Sequence, residues 1–134
     1  EAALRPTFAF THQLIDEGRI YPRMNGKAVF VEAVTQLCSV IQEALQANKM
    51  TLQDVDFFVP HQANLRITEG VCQKIGFPMD RVDTSITKYG NCAAASVPIA
   101  FDEQVRSGRI KSGDTVLMAT FAAGFTWGAA ILDW

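Results

Sequence analysis

His61 and Asn91 are the side chains of this 134-residue chain whose positions best suit chemistry on a bound substrate. His61 follows the apolar run Phe57-Phe58-Val59-Pro60 and precedes a helix-compatible stretch, Gln62-Ala63-Asn64-Leu65-Arg66-Ile67. That order puts an imidazole at the end of a buried strand, where α/β proteins gather ligand-binding groups. Asn91 lies in a second strand-to-helix turn, Tyr89-Gly90-Asn91-Cys92-Ala93-Ala94-Ala95-Ser96-Val97-Pro98. A lone histidine among apolar neighbours commonly serves only the fold. Its place at a strand end, and the second polar turn, weigh the other way. A neutral imidazole and a primary amide can each donate a hydrogen bond. Two donors aimed at one point stabilise an oxygen that gains negative charge, usually the largest catalytic effect in acyl chemistry. Such a step needs no protein proton acceptor.

Other chemistries find less support. His12 and His61 have no acidic or thiol partners at ligand spacing, so no metal site is expected. Neither a dinucleotide fingerprint nor a P-loop occurs, and the surroundings of Ser96 are not those of a nucleophile elbow. Cys38, Cys72 and Cys92 are odd in number and lack CxxC spacing, so they read as free thiols in a reducing cytoplasm. The first two fall inside amphipathic stretches and read as core. Cys92 follows Asn91 at a candidate helix start, where a thiol pKa can fall. A net charge of -2 offers no basic excess for nucleic acid, although a local basic patch remains open. No uncharged apolar run reaches about 18 residues, so no membrane span is expected. The start, Glu1-Ala2-Ala3-Leu4-Arg5, has neither signal-peptide order nor an initiator Met, which reads as a piece of a longer or processed chain.

The elements that would position these residues can be read from periodicity. With 49% hydrophobic and 19% charged residues, the chain is globular and of single-domain size. Residues 1–27, broken by Pro6, Gly18, Pro22 and Gly26, read as a connecting segment with a short helix from Thr11 to Glu17. Phe30, Val34, Leu37, Ile41, Ala44 and Leu45 recur at helical spacing and predict a helix from Ala28 to about Asn48. Thr51 to Asp54 reads as a cap before a turn. Val55–Val59 predicts a strand buried on both faces. Gln62 to Ile75 predicts a helix stopped by Gly76 and Pro78. Val82–Thr87 predicts a short strand. Ala93–Val105 predicts a helix in which Pro98 demands a late start or a kink. Thr115–Phe121 and Phe125–Leu132 predict an antiparallel hairpin. The alternation predicts an α/β fold: a mainly parallel sheet under helices, with an antiparallel edge.

Three motifs stand out: Pro60-His61-Gln62-Ala63-Asn64, Tyr89-Gly90-Asn91, and Phe121-Ala122-Ala123-Gly124-Phe125-Thr126-Trp127-Gly128. In this order and spacing they resemble the C-terminal half of β-ketoacyl-acyl-carrier-protein synthase III, a thiolase-fold condensing enzyme. The likeness runs from about residue 20 to 134, and it makes 28–134 the synthase domain. It implies one half of a duplicated thiolase-like fold, a five-stranded mixed sheet covered by helices. It implies decarboxylative condensation of an acyl-CoA with malonyl-acyl-carrier protein at the start of fatty-acid synthesis. His61 and Asn91 match the family's decarboxylation pair. Ala123 matches the loop position whose backbone N–H serves a second oxyanion hole. Here Ala122 and Ala123 replace two glycines, so the loop either avoids positive φ there or is altered. Phe121 matches the active-site wall, Asn64 a pantetheine contact, and Arg66 and Lys74 basic positions facing the carrier protein. The family's cysteine nucleophile belongs to the other half. No cofactor is expected, since the substrates bring coenzyme A or phosphopantetheine. The implied partners are acyl carrier protein, acyl-CoA and the enzyme's N-terminal half, with a homodimer in the cytoplasm. Two other readings stay open: a non-catalytic carrier-binding or partner module of the same fold, and a related polyketide-priming synthase.

Overall fold

The computed structural model describes residues 12–20 and 24–134. Thr11, where the first short helix was expected to begin, lies outside the described residues, as does most of the 1–27 segment. Within that segment α1 spans His12–Asp16.

Helix α2, Gly26–Ala47, starts two residues before the expected point. The Asn25 side chain accepts the Ala28 N–H at 3.1 Å and so caps the first turn. Its inward stripe of Ala33, Leu37, Cys38, Ile41 and Leu45 is buried. By length, and over an 18-residue window of mean hydropathy 1.3, α2 is apolar enough to cross a membrane on composition alone, although Lys27, Glu32 and Glu43 leave no long uncharged run in it. In this fold the helix is a core element, packed on the sheet and on the helix α3, Leu65–Ile75. The turn after α2 forms as read: the Asp54 carboxylate accepts from the Thr51 N–H at 2.7 Å and hydroxyl at 2.8 Å.

The sheet is ordered β1-β2-β3. Strand β1, Phe57–Pro60, pairs parallel with β2, Thr115–Ala122, and β2 pairs antiparallel with β3, Thr126–Asp133. All four residues of β1 are buried, as a strand covered on both faces requires. Alternation along β2 divides the core. Leu117, Ala119 and Phe121 join the α2 cluster, while Val116 and Met118 meet α5, Ser96–Arg106.

Among the described residues the sheet has three strands, where the family resemblance implied five. The expected strand at 82–87 shrinks to one bridge, Val82 opposite Phe58. The cause is Asp83. Its buried carboxylate accepts from the Ser85 N–H at 2.9 Å and the Ser85 hydroxyl at 2.6 Å, which turns the chain into α4, Ile86–Tyr89. Helix α3 is Leu65–Ile75 and begins later than expected, because the Asn64 side chain caps it by accepting the Arg66 N–H at 3.0 Å. Pro98 is resolved by a late start. A 3-10 turn occupies Ala93–Ala95, and α5 begins at Ser96, leaving Pro98 in the first helical turn. There its missing N–H costs nothing.

Candidate active site

Strand β1 delivers His61 to the sheet edge. The His61 N–H donates to the Ala119 carbonyl at 2.8 Å, which extends the parallel ladder one residue past Pro60. The next residue, Gln62, is 2% exposed and acts as a brace. Its side-chain amide donates to the Pro60 carbonyl at 2.9 Å and the Asp83 carbonyl at 3.3 Å, and accepts from the Ile86 N–H at 3.0 Å. Gln62 thus joins the end of β1 to the start of α4, the helix that leads to Asn91. Behind it, Gln104 donates to Asp83 at 2.6 Å and accepts from Arg109 at 3.0 Å.

The Asn91 turn is shaped by its own side chain. Asn91 Oδ1 accepts the Ala93 N–H at 2.9 Å, which leaves the amide N–H groups to donate elsewhere. Gly90 precedes it at φ 69°, ψ -160°, and Ala93 follows at φ 50°. Both are conformations that a side chain disfavours.

His61 and Asn91 line one cleft of about 750 Å³. Phe121, Ala122, Ala123 and Phe125 wall it from the hairpin side. Phe121 is held in place by Phe125, 5.0 Å away between ring centroids, and by Trp127, stacked at 6.3 Å. The hairpin loop answers the question raised by its alanines. Neither Ala122 nor Ala123 has positive φ, and Gly124 carries that burden at φ 149°. The Gly124–Phe125 peptide is cis. Burial holds the His61 pKa below its ordinary value, so the ring is neutral near pH 7.

The remaining predicted residues separate. Asn64 caps α3 and does not line the cleft. Arg66 is exposed on the first turn of α3, next to the cleft-lining Ile67. Lys74 sits on the last turn, roughly 12 Å further along the axis at 1.5 Å per residue. The two cations therefore do not form one patch.

The thiols are poor nucleophiles. Burial pushes Cys72 up to about 11 and raises Cys38 as well, with Lys74 working against the latter shift. Cys92 donates weakly to the Tyr89 carbonyl at 3.4 Å, precedes only a 3-10 turn, and does not line the cleft. Among the described residues no group of three metal-ligating side chains occurs.

Some contributors escaped the sequence reading. Met24, Asn25, Ala28 and Val29 line the cleft from a stretch placed at a domain boundary. The Asn25-Gly26 cap was the available signal. Ser96, read only as the wrong context for a nucleophile, brings its Oγ to 2.5 Å from His61 Nδ1.

Residues 45–134 match the family model described as 3-oxoacyl-[acyl-carrier-protein] synthase III, C terminal. A β-ketoacyl-[acyl-carrier-protein] synthase III of Thiobacillus denitrificans is 52% identical over 110 residues, 82% of this chain and 34% of that protein. One of Salmonella arizonae is 49% identical over 113 residues, 84% of this chain and 36% of that protein. The chain thus spans about a third of the length of these curated relatives. The crystal structure of the Thermus thermophilus synthase III superposes with a TM-score of 0.81 at 45% identity, over 84% of this chain and 35% of that one. The priming β-ketosynthase of the R1128 polyketide pathway superposes with a TM-score of 0.80 at 35% identity, over 90% of this chain and 37% of that one. Its fold is therefore that of the C-terminal half of a thiolase-like condensing enzyme, and the chain belongs to the 3-oxoacyl-[acyl-carrier-protein] synthase III C-terminal family.

Proposed function

We propose that this chain supplies the decarboxylation site of a 3-oxoacyl-acyl-carrier-protein synthase III. The observation that carries the reading is the placement of His61 and Asn91 on one cleft, with Asn91 Oδ1 occupied by the Ala93 N–H so that its amide N–H groups are left to donate. A malonyl thioester bound there breaks its C–C bond to the carboxylate and releases CO2. The electron pair moves into the thioester, and the enolate oxygen meets the two N–H donors. The enolate carbon then attacks an acyl group carried on a cysteine of the N-terminal half, which leaves as thiolate. The Ala123 N–H serves the oxyanion of that acyl-transfer step. Phe121 and its aromatic neighbours keep water from the carbanion.

Arg66 meets the acidic carrier protein at the cleft mouth. Asn64 orders the first turn of α3, where the pantetheine arm enters. Lys74, at the far end of α3, serves only a carrier that spans the helix. The substrates bring their own thiol carriers, so the chemistry calls on no resident cofactor. The complete protein works as a cytoplasmic homodimer on acyl-CoA and malonyl-acyl-carrier protein. The likeness to a polyketide-priming synthase favours, as a second reading, the same chemistry with a different acyl primer.

The test uses the complete protein with acyl-CoA and malonyl-acyl-carrier protein. It should release CO2 and form 3-oxoacyl-carrier protein, and the 134-residue chain alone should not form the condensation product, for want of the acylated cysteine. Carrier binding without CO2 release would instead mark a non-catalytic module.

A further inference from the structure

The catalytic reading needs one nitrogen of His61 to carry a proton toward the cleft, and nothing in the imidazole itself decides which. We propose that Ser96 is the positioning residue that fixes this tautomer: its hydroxyl donates to Nδ1, so Nε2 bears the proton presented to the substrate oxygen. The inference rests on the proposed function only for its consequence, not for the tautomer itself.

Ser96 is 2% exposed, so solvent does not serve its hydroxyl. Its Oγ has two partners. The Gln62 backbone N–H lies 3.2 Å away and can only donate. His61 Nδ1 lies 2.5 Å away and can donate or accept. Were Nδ1 protonated, Oγ would accept twice and its own proton would be buried without an acceptor among the described residues. With Nδ1 bare, all three groups are satisfied: Gln62 N–H to Oγ, and Oγ–H to Nδ1. Buried polar groups take the arrangement that leaves none unpaired.

The geometry around Ser96 is stiff. Gln62 is pinned by its side-chain bonds to Pro60, Asp83 and Ile86. Ser96 itself opens α5, which packs against β1 through the fully buried Ala100. Five residues before Ser96 in the chain stands Asn91, held by its bond from Ala93. One hydroxyl therefore sets the His61 tautomer and anchors the loop that presents Asn91.

Nitrogen-15 spectra of the complete protein, labelled on histidine and assigned by loss of the signal in His61→Ala, decide the matter. At pH 7 the expected spectrum shows a bare Nδ1 and an N–H coupling on Nε2. A protonated Nδ1 in the wild-type protein overturns the proposal, whether or not any decarboxylation is detected. In Ser96→Ala, a second tautomer should appear. Decarboxylation should fall by roughly tenfold, less than the 10²–10³ expected for losing a donor outright, with acylation of the cysteine retained. Ser96→Thr, which keeps the hydroxyl, should restore the single tautomer. A Ser96→Ala protein with one unchanged tautomer and full decarboxylation also overturns it. Should Ser96→Ala fail to fold, the wild-type spectrum alone gives the answer.

Discussion

Gly90→Ala isolates the part of the site held only by backbone conformation. Gly90 closes α4 by donating its N–H to the Ile86 carbonyl at 2.9 Å, then adopts φ 69°, ψ -160° before Asn91. A Cβ built there meets nothing within 4 Å, so any penalty is conformational and not steric. That region is nearly exclusive to glycine and costs other residues about 1–3 kcal/mol. Alanine recovers about 0.4–1 kcal/mol by narrowing the unfolded ensemble. The net is roughly 1–2 kcal/mol, or a few degrees in melting temperature for a protein of this size class. The chain can escape that cost only by turning the Gly90 peptide, and this swings Asn91 away from His61. A displacement of about 1 Å costs on the order of 10²-fold in rate. Gly76→Ala is the control. Gly76 ends α3 at φ 78°, ψ 28°, also without a neighbour for its Cβ, and the same substitution there costs about 1–2 kcal/mol. In the complete protein, both variants should lose a few degrees by calorimetry. Only Gly90→Ala should lose CO2 release from malonyl-carrier protein while still acylating its cysteine. Equal activity losses in the two variants, or a fully active Gly90→Ala, would refute the reasoning.

Two further outcomes follow from the same geometry. Arg66→Glu should raise the KM for malonyl-acyl-carrier protein by about tenfold with little change for acyl-CoA, because an exposed charge at a rim mainly steers encounter; an equal effect on acyl-CoA would place Arg66 in the substrate channel. His61 should titrate with a midpoint below the ordinary value near 6.5. Since its folded pKa is depressed by burial, the unfolded chain binds more protons once the pH falls below about 6.5. His61 therefore takes stability away as the pH drops through that window and has no such effect above it. A titration by carbon or nitrogen NMR with a midpoint at or above 6.5 would contradict its burial.

The sequence made the layout of the fold readable where periodicity and caps were local. The α2 stripe from Val34 to Leu45, the apolar β1 run and the β2–β3 hairpin each declare themselves within a few residues. Errors came where a tertiary bond overrode local preference. Val82-Asp83-Thr84-Ser85 has strand composition, yet Asp83 serves Ser85 and Gln104 and bends the chain into α4. Asn64, matched by resemblance to a pantetheine contact, also caps α3 through the Arg66 N–H. The candidate pair was legible because His61 and Asn91 each occupy a turn between elements. Their supports were not: Gln62, Ser96 and Asp83 act through contacts spanning more than twenty residues. No period or motif records such a contact. Likewise the Met24–Val29 wall of the cleft depends on how α2 crosses the sheet, which sequence spacing does not state.

The central claim is that His61 and Asn91 act together on the decarboxylation step. The most direct measurement compares the two half-reactions in the complete protein for His61→Ala, Asn91→Ala and the double variant. Release of CO2 from malonyl-acyl-carrier protein should fall on the order of 10²–10³ for each single variant. Acylation of the cysteine by acyl-CoA should stay within a few-fold of wild type. The double variant should lose much less than the product of the singles, as residues acting on one oxygen do. Half-reactions that fall equally, or single variants that still release CO2 at the wild-type rate, would contradict the account.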